Sequence, residues 1–196
     1  MAGVAPELRA QGVALRWDVG AELGLLQRFS GIAAAGVRRS PGPTGELQAH
    51  VALAPMIRVG AYAAQDISPV PAGRAQETTE AGLRIKITPP ILSAPWHAWA
   101  FAGVGYARAY APSYTTGDPP GRWVPGAGGG MLALPFGVGL GARLRAPLWI
   151  FAELTGRTGL AFTGTFYEEP QCLCSSNETG RDSFALALRV GVSLRE

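Results

Sequence analysis

Lysine is almost absent from this chain: Lys86 stands against sixteen arginines among 17 basic residues. Charge of both signs is scarce, at 16% of residues, where a soluble domain carries about 25%. No basic run exceeds Arg38-Arg39 and the net charge is +3, so the clustered basic stripe needed for nucleic-acid binding is missing. Histidine and cysteine are two each. His50 and His97 lie far from Cys172 and Cys174, which removes any metal-ligand spacing. The one-residue gap between Cys172 and Cys174 leaves a strained loop disulfide and two free thiols both open. Asn177-Glu178-Thr179 matches a glycosylation sequon, a short pattern of low specificity. No apolar leader is visible, since Met1-Ala2-Gly3 runs into Pro6-Glu7-Leu8-Arg9, and the expectation is a chain that begins at its mature sequence. A helix long enough to cross a membrane is missing as well. Residues 91–107 and 124–142 lack charge, but the second window holds seven glycines and two prolines and is a poor helix.

What is present is apolar and helix-breaking. Apolar residues make up 47% of 196, with 27 Gly and 16 Pro. That much apolar content excludes disorder, and glycine and proline inside the most apolar stretches exclude a helical bundle. One all-β domain remains.

Strand periodicity is strongest at the C-terminus. Phe184, Leu186, Leu188, Val190, Val192 and Leu194 form one face, against Ala185, Ala187, Arg189, Gly191 and Ser193. Trp17, Val19, Ala21, Leu23 and Leu25 alternate with Arg16, Asp18, Gly20, Glu22 and Gly24. The same dyad runs through Leu83, Ile85 and Ile87 against Glu80, Arg84 and Lys86. It continues in Phe136, Val138 and Leu140 against Gly137, Gly139 and Arg143, and in Ile150, Ala152 and Leu154 against Phe151, Glu153 and Arg157. The non-apolar face is Gly, Ala and isolated charge. A solvent-facing surface would carry Lys, Glu, Ser and Thr, whereas a confined lumen favours small side chains. Two facings are open for residues 97–110: Gly103 and Gly105 inward with Arg108 beyond the apolar zone, or Trp99 and Phe101 outward with Arg108 inside.

The pattern predicts eight strands at about 12–28, 46–54, 56–66, 78–89, 97–110, 126–144, 148–164 and 183–194. Short and long connections alternate, with both termini on the short side, as in a membrane barrel. Residues 1–11 are then an N-terminal periplasmic segment and 12–196 a single barrel. Aromatics gather at the two predicted interfaces. Trp17, Trp96, Trp99 and Trp149 lie toward the short turns, and Phe29, Tyr110, Trp123, Phe166, Tyr167 and Phe184 toward the long loops. The parity of Trp149 points inward.

The run Leu134-Pro135-Phe136-Gly137-Val138-Gly139-Leu140-Gly141-Ala142-Arg143-Leu144, the turn Arg145-Ala146-Pro147, and Leu148-Trp149-Ile150-Phe151-Ala152-Glu153-Leu154 carry a resemblance. With Ala102-Gly103-Val104-Gly105-Tyr106, they make residues 12–194 resemble the eight-stranded outer-membrane β-barrels of Gram-negative bacteria, of OmpA-type and OmpX-type architecture. The resemblance implies an antiparallel up-and-down transmembrane barrel in the bacterial outer membrane. It also implies contact with membrane lipid and lipopolysaccharide, and insertion by the outer-membrane assembly machinery. Such barrels often end in an aromatic residue, whereas this chain ends Leu194-Arg195-Glu196. The lipid A deacylases among these barrels use a His-x-Ser pair. Here Val51-Ala52 follows His50 and Ala98-Trp99 follows His97, and no spacing sets a base beside a nucleophile. Non-enzymatic function is the expectation, with no cofactor and no nucleic-acid partner.

The inward parity collects Arg16, Arg58, Arg84, Lys86, Arg143, Arg157 and Arg189 with Asp18, Glu22, Glu80 and Glu153, seven bases against four acids. In so narrow a space these predict a self-satisfying ion-pair network. The expected role is structural or surface-interacting, as a monomer with a filled lumen. A narrow small-solute channel or ligand-binding barrel, and a soluble lipocalin-like carrier with its apolar face inside, are the alternatives.

Overall fold

The computed structural model describes residues 16–30, 41–70, 74–115, 121, 123–124, 126–164 and 183–196. The expected segment 1–11, Phe166, Tyr167, Cys172 and Cys174 lie outside them. The barrel strands are β1 (Trp17–Ser30), β2 (Gly42–Ala54), β3 (Ile57–Val70), β4 (Arg74–Ile87) and β5 (Trp96–Ala111). A two-residue hairpin follows, β6 (Tyr114–Thr115) with β7 (Trp123–Val124), before β8 (Ala127–Arg145), β9 (Leu148–Thr163) and β10 (Ser183–Arg195). Eight strands close in the order β1-β10-β9-β8-β5-β4-β3-β2, every pair antiparallel. Closure pairs β1 with β10, so the sheet has no free edge.

The periodicity places the strands, but β2, β3 and β4 extend further toward the long loops than it predicts. Alternation there passes from apolar/small to mixed polar residues. The strands continue because Thr44, Asp66, Ser68, Gln76 and Thr78 all point inward and are buried. The strands run 13 to 19 residues, more than the 9–11 needed to cross a bilayer. The barrel therefore rises beyond the apolar zone.

The polarity of the two faces is inverted relative to a soluble barrel. Leu23 (72% exposed), Leu83 (66%), Leu47 (64%) and Val190 (63%) stand on the outside. Charged and polar side chains fill the interior, and this contradicts the lipocalin-like alternative, which needs its apolar face within. Strand β5 takes the facing with Gly103 and Gly105 inward and Val104, Tyr106, Arg108 and Tyr110 outward. Trp99 and Phe101 consequently lie in the lumen at 6% and 5% exposure.

Glycine makes room for those rings. Trp99 pairs with Gly139 and Phe101 with Gly137 across β5 and β8. A Cβ on Gly139 would collide with the Trp99 indole, and one on Gly137 would lie 2.7 Å from the Phe101 ring. The Gly-x-Gly-x-Gly track of β8 is the bed on which the aromatics of β5 lie, which periodicity alone reads only as small inward residues.

Candidate functional site

The lumen is where strand parity concentrates chemistry, and its contacts run from the short-turn mouth to the long-loop half. At the mouth, His97 lies tilted against Trp149 at 4.8 Å between ring centroids, and the Arg195 guanidinium sits 5.1 Å over the same Trp149 ring. Arg195 Nη2 donates to Asp18 Oδ2 at 3.3 Å, and Arg58 Nη1 stands 3.9 Å from that oxygen. Lys86 donates to Gln48 Oε1 at 2.9 Å and lies 4.9 Å above the Trp99 ring. The gap left among Asp18, Gln48, Lys86, Trp99, Trp149 and Arg195 is about 10 Å³, room for about one water.

At mid-barrel Arg84 and Arg189 stand among three glutamates. Arg84 Nη2 is 2.6 Å from Glu46 Oε1 and its Nη1 donates to Glu153 Oε1 at 3.1 Å. The guanidinium is held between Phe101 at 4.1 Å and Tyr62 at 4.8 Å. Trp99 Nε1 donates to the other Glu153 oxygen at 3.0 Å. Arg189 Nη1 donates to Glu46 Oε2 at 2.8 Å and lies 3.5 Å from Glu22 Oε1, while its Nε donates to Thr44 Oγ1 at 3.2 Å. Oxygens of Glu22, Glu46 and Glu153 come within 4.8 Å of one another. Two guanidiniums serve this cluster, Arg84 through Glu46 and Glu153 and Arg189 through Glu46 and Glu22.

Beyond it, Thr44 Oγ1 donates to Asp66 Oδ1 at 2.6 Å. Arg157 bridges Asp66 and Glu80, and the Tyr62 hydroxyl donates to Glu80. Arg28 donates to Thr78 Oγ1 at 2.7 Å and Ser68 Oγ at 2.9 Å and pairs with Asp66 at 3.4 Å. Leu26 with Ala185 and Ala187, and Ala107, Ala109, Met131 and Ala133 with Phe162, form apolar clusters in the long-loop half.

Sequence parity directs Asp18, Glu22, Arg58, Glu80, Arg84, Lys86, Glu153, Arg157 and Arg189 inward, and all face the lumen. Arg16 and Arg143 do not enter the network: both are exposed at the short-turn rim. Parity distinguishes inside from outside, but it does not distinguish lumen from mouth. Glu46, Asp66 and Arg28 belong to the network and fall at predicted strand ends, where alternation loses its signal. The expected excess of three bases inside shrinks to about one: six buried acids meet five buried bases, and the partly buried Arg58 and Arg195 both stand against Asp18. His50 is also luminal, 2% exposed.

The girdle residues divide too. Trp17 and Trp96 stand near the short turns, and Phe29, Tyr110, Trp123 and Phe184 toward the long loops. Phe29, Phe184 and Phe136 form a ladder with centroids 5.9 and 6.5 Å apart. Trp99 is a correction: it belongs to the lumen, where Gly139 admits its ring and Glu153 takes its N–H. Trp149 likewise faces the mouth of the lumen.

No family model and no curated protein matches the chain. Solved structures do. Neisserial surface protein A (NspA) superposes with a TM-score of 0.61 at 12% identity, over 91% of this chain and 96% of that one. A major outer membrane protein from Thermus thermophilus gives 0.60 at 15% identity, over 93% and 100%. The chain has the outer-membrane β-barrel fold. Ail, the attachment invasion locus protein of Yersinia pestis, is a further similar barrel at 0.53 and 10% identity, over 93% and 99%. In outer-membrane barrels the exposed apolar side chains are the lipid-contacting wall.

Proposed function

We propose that this outer-membrane barrel acts as a surface protein whose body anchors three longer external connections, between β1 and β2, β5 and β8, and β9 and β10, in the bacterial outer membrane, the β3–β4 connection being three residues long. The observation that carries this is the combination of an apolar outer wall with a lumen in which most charges are paired across strands, although Glu22 and His50 make no hydrogen bond through their side chains among the described residues. Such an interior commits its polar groups to holding the barrel shut, because buried charges are retained only when paired and hydrogen-bonded. The part left to meet a partner is the loop end, above the level of Tyr110 and Trp123. Lipid and lipopolysaccharide surround the wall, and the barrel works as a monomer.

Two measurements test this. The unfolded chain is mixed with detergent micelles or with plain buffer, and gel mobility is compared with and without boiling. Heat-modifiable mobility in detergent alone is expected, and a monodisperse β protein in plain buffer overturns the membrane reading. In planar bilayers the barrel gives no steady unitary currents. Steady currents would overturn the closed lumen and favour a small-solute channel.

A further inference from the structure

Among the described side chains, Arg108 is the one base on the outward face of a barrel strand above the short-turn rim. It is exposed and has neither an ion pair nor a side-chain hydrogen bond within the described residues. On the same face of β5, Tyr106 precedes it and Tyr110 follows it, at 60% and 52% exposure. Across the sheet, Arg108 pairs with Thr79 of β4 and Gly130 of β8. The Tyr106 ring leans over Gly130, where a Cβ would collide with the tyrosine hydroxyl oxygen. Thr79 is turned aside, since its hydroxyl donates to Gln65 Oε1. From Val104 and Leu83 toward the short turns, the outward residues of β4 and β5 are all apolar. Above it Glu77 pairs with Tyr110.

An outward arginine at the bilayer midplane costs about 2–4 kcal/mol, falling to about 0–1 near the interface. The step from Leu83 and Val104 to Arg108 therefore marks the headgroup level of the long-loop leaflet, where tyrosine also settles. The anion present at that level is lipid phosphate. A guanidinium matches it with two parallel N–H donors, and tyrosine hydroxyls two residues to either side add further donors. Glu77 repels negative charge from above and keeps the phosphate on the Tyr106 side.

We propose that Arg108, flanked by Tyr106 and Tyr110, binds a phosphate-bearing lipid headgroup in the leaflet on the long-loop side. The inference rests on the membrane reading above. The full chain is refolded into phosphatidylcholine vesicles containing phosphatidic acid, whose phosphate is not masked by choline. Lipids retained on the released barrel are then counted by native mass spectrometry. Wild type retains phosphatidic acid over phosphatidylcholine by about tenfold, the scale of one charge-assisted hydrogen-bonded contact. Arg108→Gln falls to near parity while keeping the heat-modifiable gel shift of a folded barrel, and Arg108→Lys keeps part of the preference. Equal retention by Arg108→Gln and wild type overturns the site. So does displacement of the lipid by excess inorganic phosphate, which would make it a site for the free anion. A folded wild type without lipid preference overturns the site alone. A wild type that does not fold into vesicles overturns the membrane reading and the site with it.

Discussion

Replacing Arg84 with methionine is the sharpest test of the luminal network. The arginine side chain has no exposed surface and bridges two carboxylates that belong to different parts of the chain, Glu46 on β2 and Glu153 on β9. Methionine fills much of the same volume between Tyr62 and Phe101, so packing changes little and charge changes most. Removing one partner from a buried ion pair costs about 3–5 kcal/mol, because the other charge is left without compensation. Loss of the cation–π contacts adds to this, at about 0.5–2 kcal/mol. We expect a total of about 5 kcal/mol, or several thousandfold in the folding equilibrium. The assay is reversible urea unfolding in lipid vesicles, followed by tryptophan fluorescence and by the gel shift. The double variant Arg84→Met with Glu153→Gln neutralises the carboxylate whose ion pair is to Arg84, whereas Glu46 keeps Arg189, and it recovers about 1–3 kcal/mol of the loss. A loss below about 1 kcal/mol for Arg84→Met, the range of a solvated surface pair, would refute a dry, mutually dependent network.

Three further outcomes follow from the same geometry. Gly139→Ala puts a methyl group onto the Trp99 indole and should destabilise the barrel by about 1–3 kcal/mol; adding Trp99→Ala relieves the clash, and equal stability of Gly139→Ala and wild type would remove the aromatic bed from the account. Leu83→Arg places a charge on the lipid-facing wall and should cost about 2–4 kcal/mol in vesicles, whereas a neutral result would mean that this wall does not meet lipid. Arg195→Ala breaks a partly exposed bond to Asp18 across the β1–β10 seam and should cost no more than about 1 kcal/mol, read as a small shift of the urea midpoint.

The strands and their facing were legible because a strand exposes its two faces at a strict period of two. In β1, β4 and β10 that period assigns Glu22, Arg84 and Arg189 to the interior without knowledge of any neighbour. The signal fades where both faces become polar or small. Glu46, Asp66 and Arg28 sit at such ends, and their place in the network depends on partners from other strands. In β5 both parities offered apolar residues to lipid, so alternation could not choose between them. The choice came from β8: Gly137 and Gly139 accept Phe101 and Trp99 inside the barrel, where larger residues would collide with the rings.

By itself the sequence determined that this chain is all-β, that eight strands alternate in polarity, and that the scarce charge belongs to one face. Those properties are local, set by the two-residue repeat and by glycine and proline at the breaks. Only the tertiary structure decided that the interior charges nearly cancel, that Trp99 points inward while Arg108 meets the outside, and that Arg84 and Arg189 hold the glutamates together. Each of these depends on which strands lie side by side and in what register, and closure of β1 onto β10 is the event that brings the distant partners into one enclosed space.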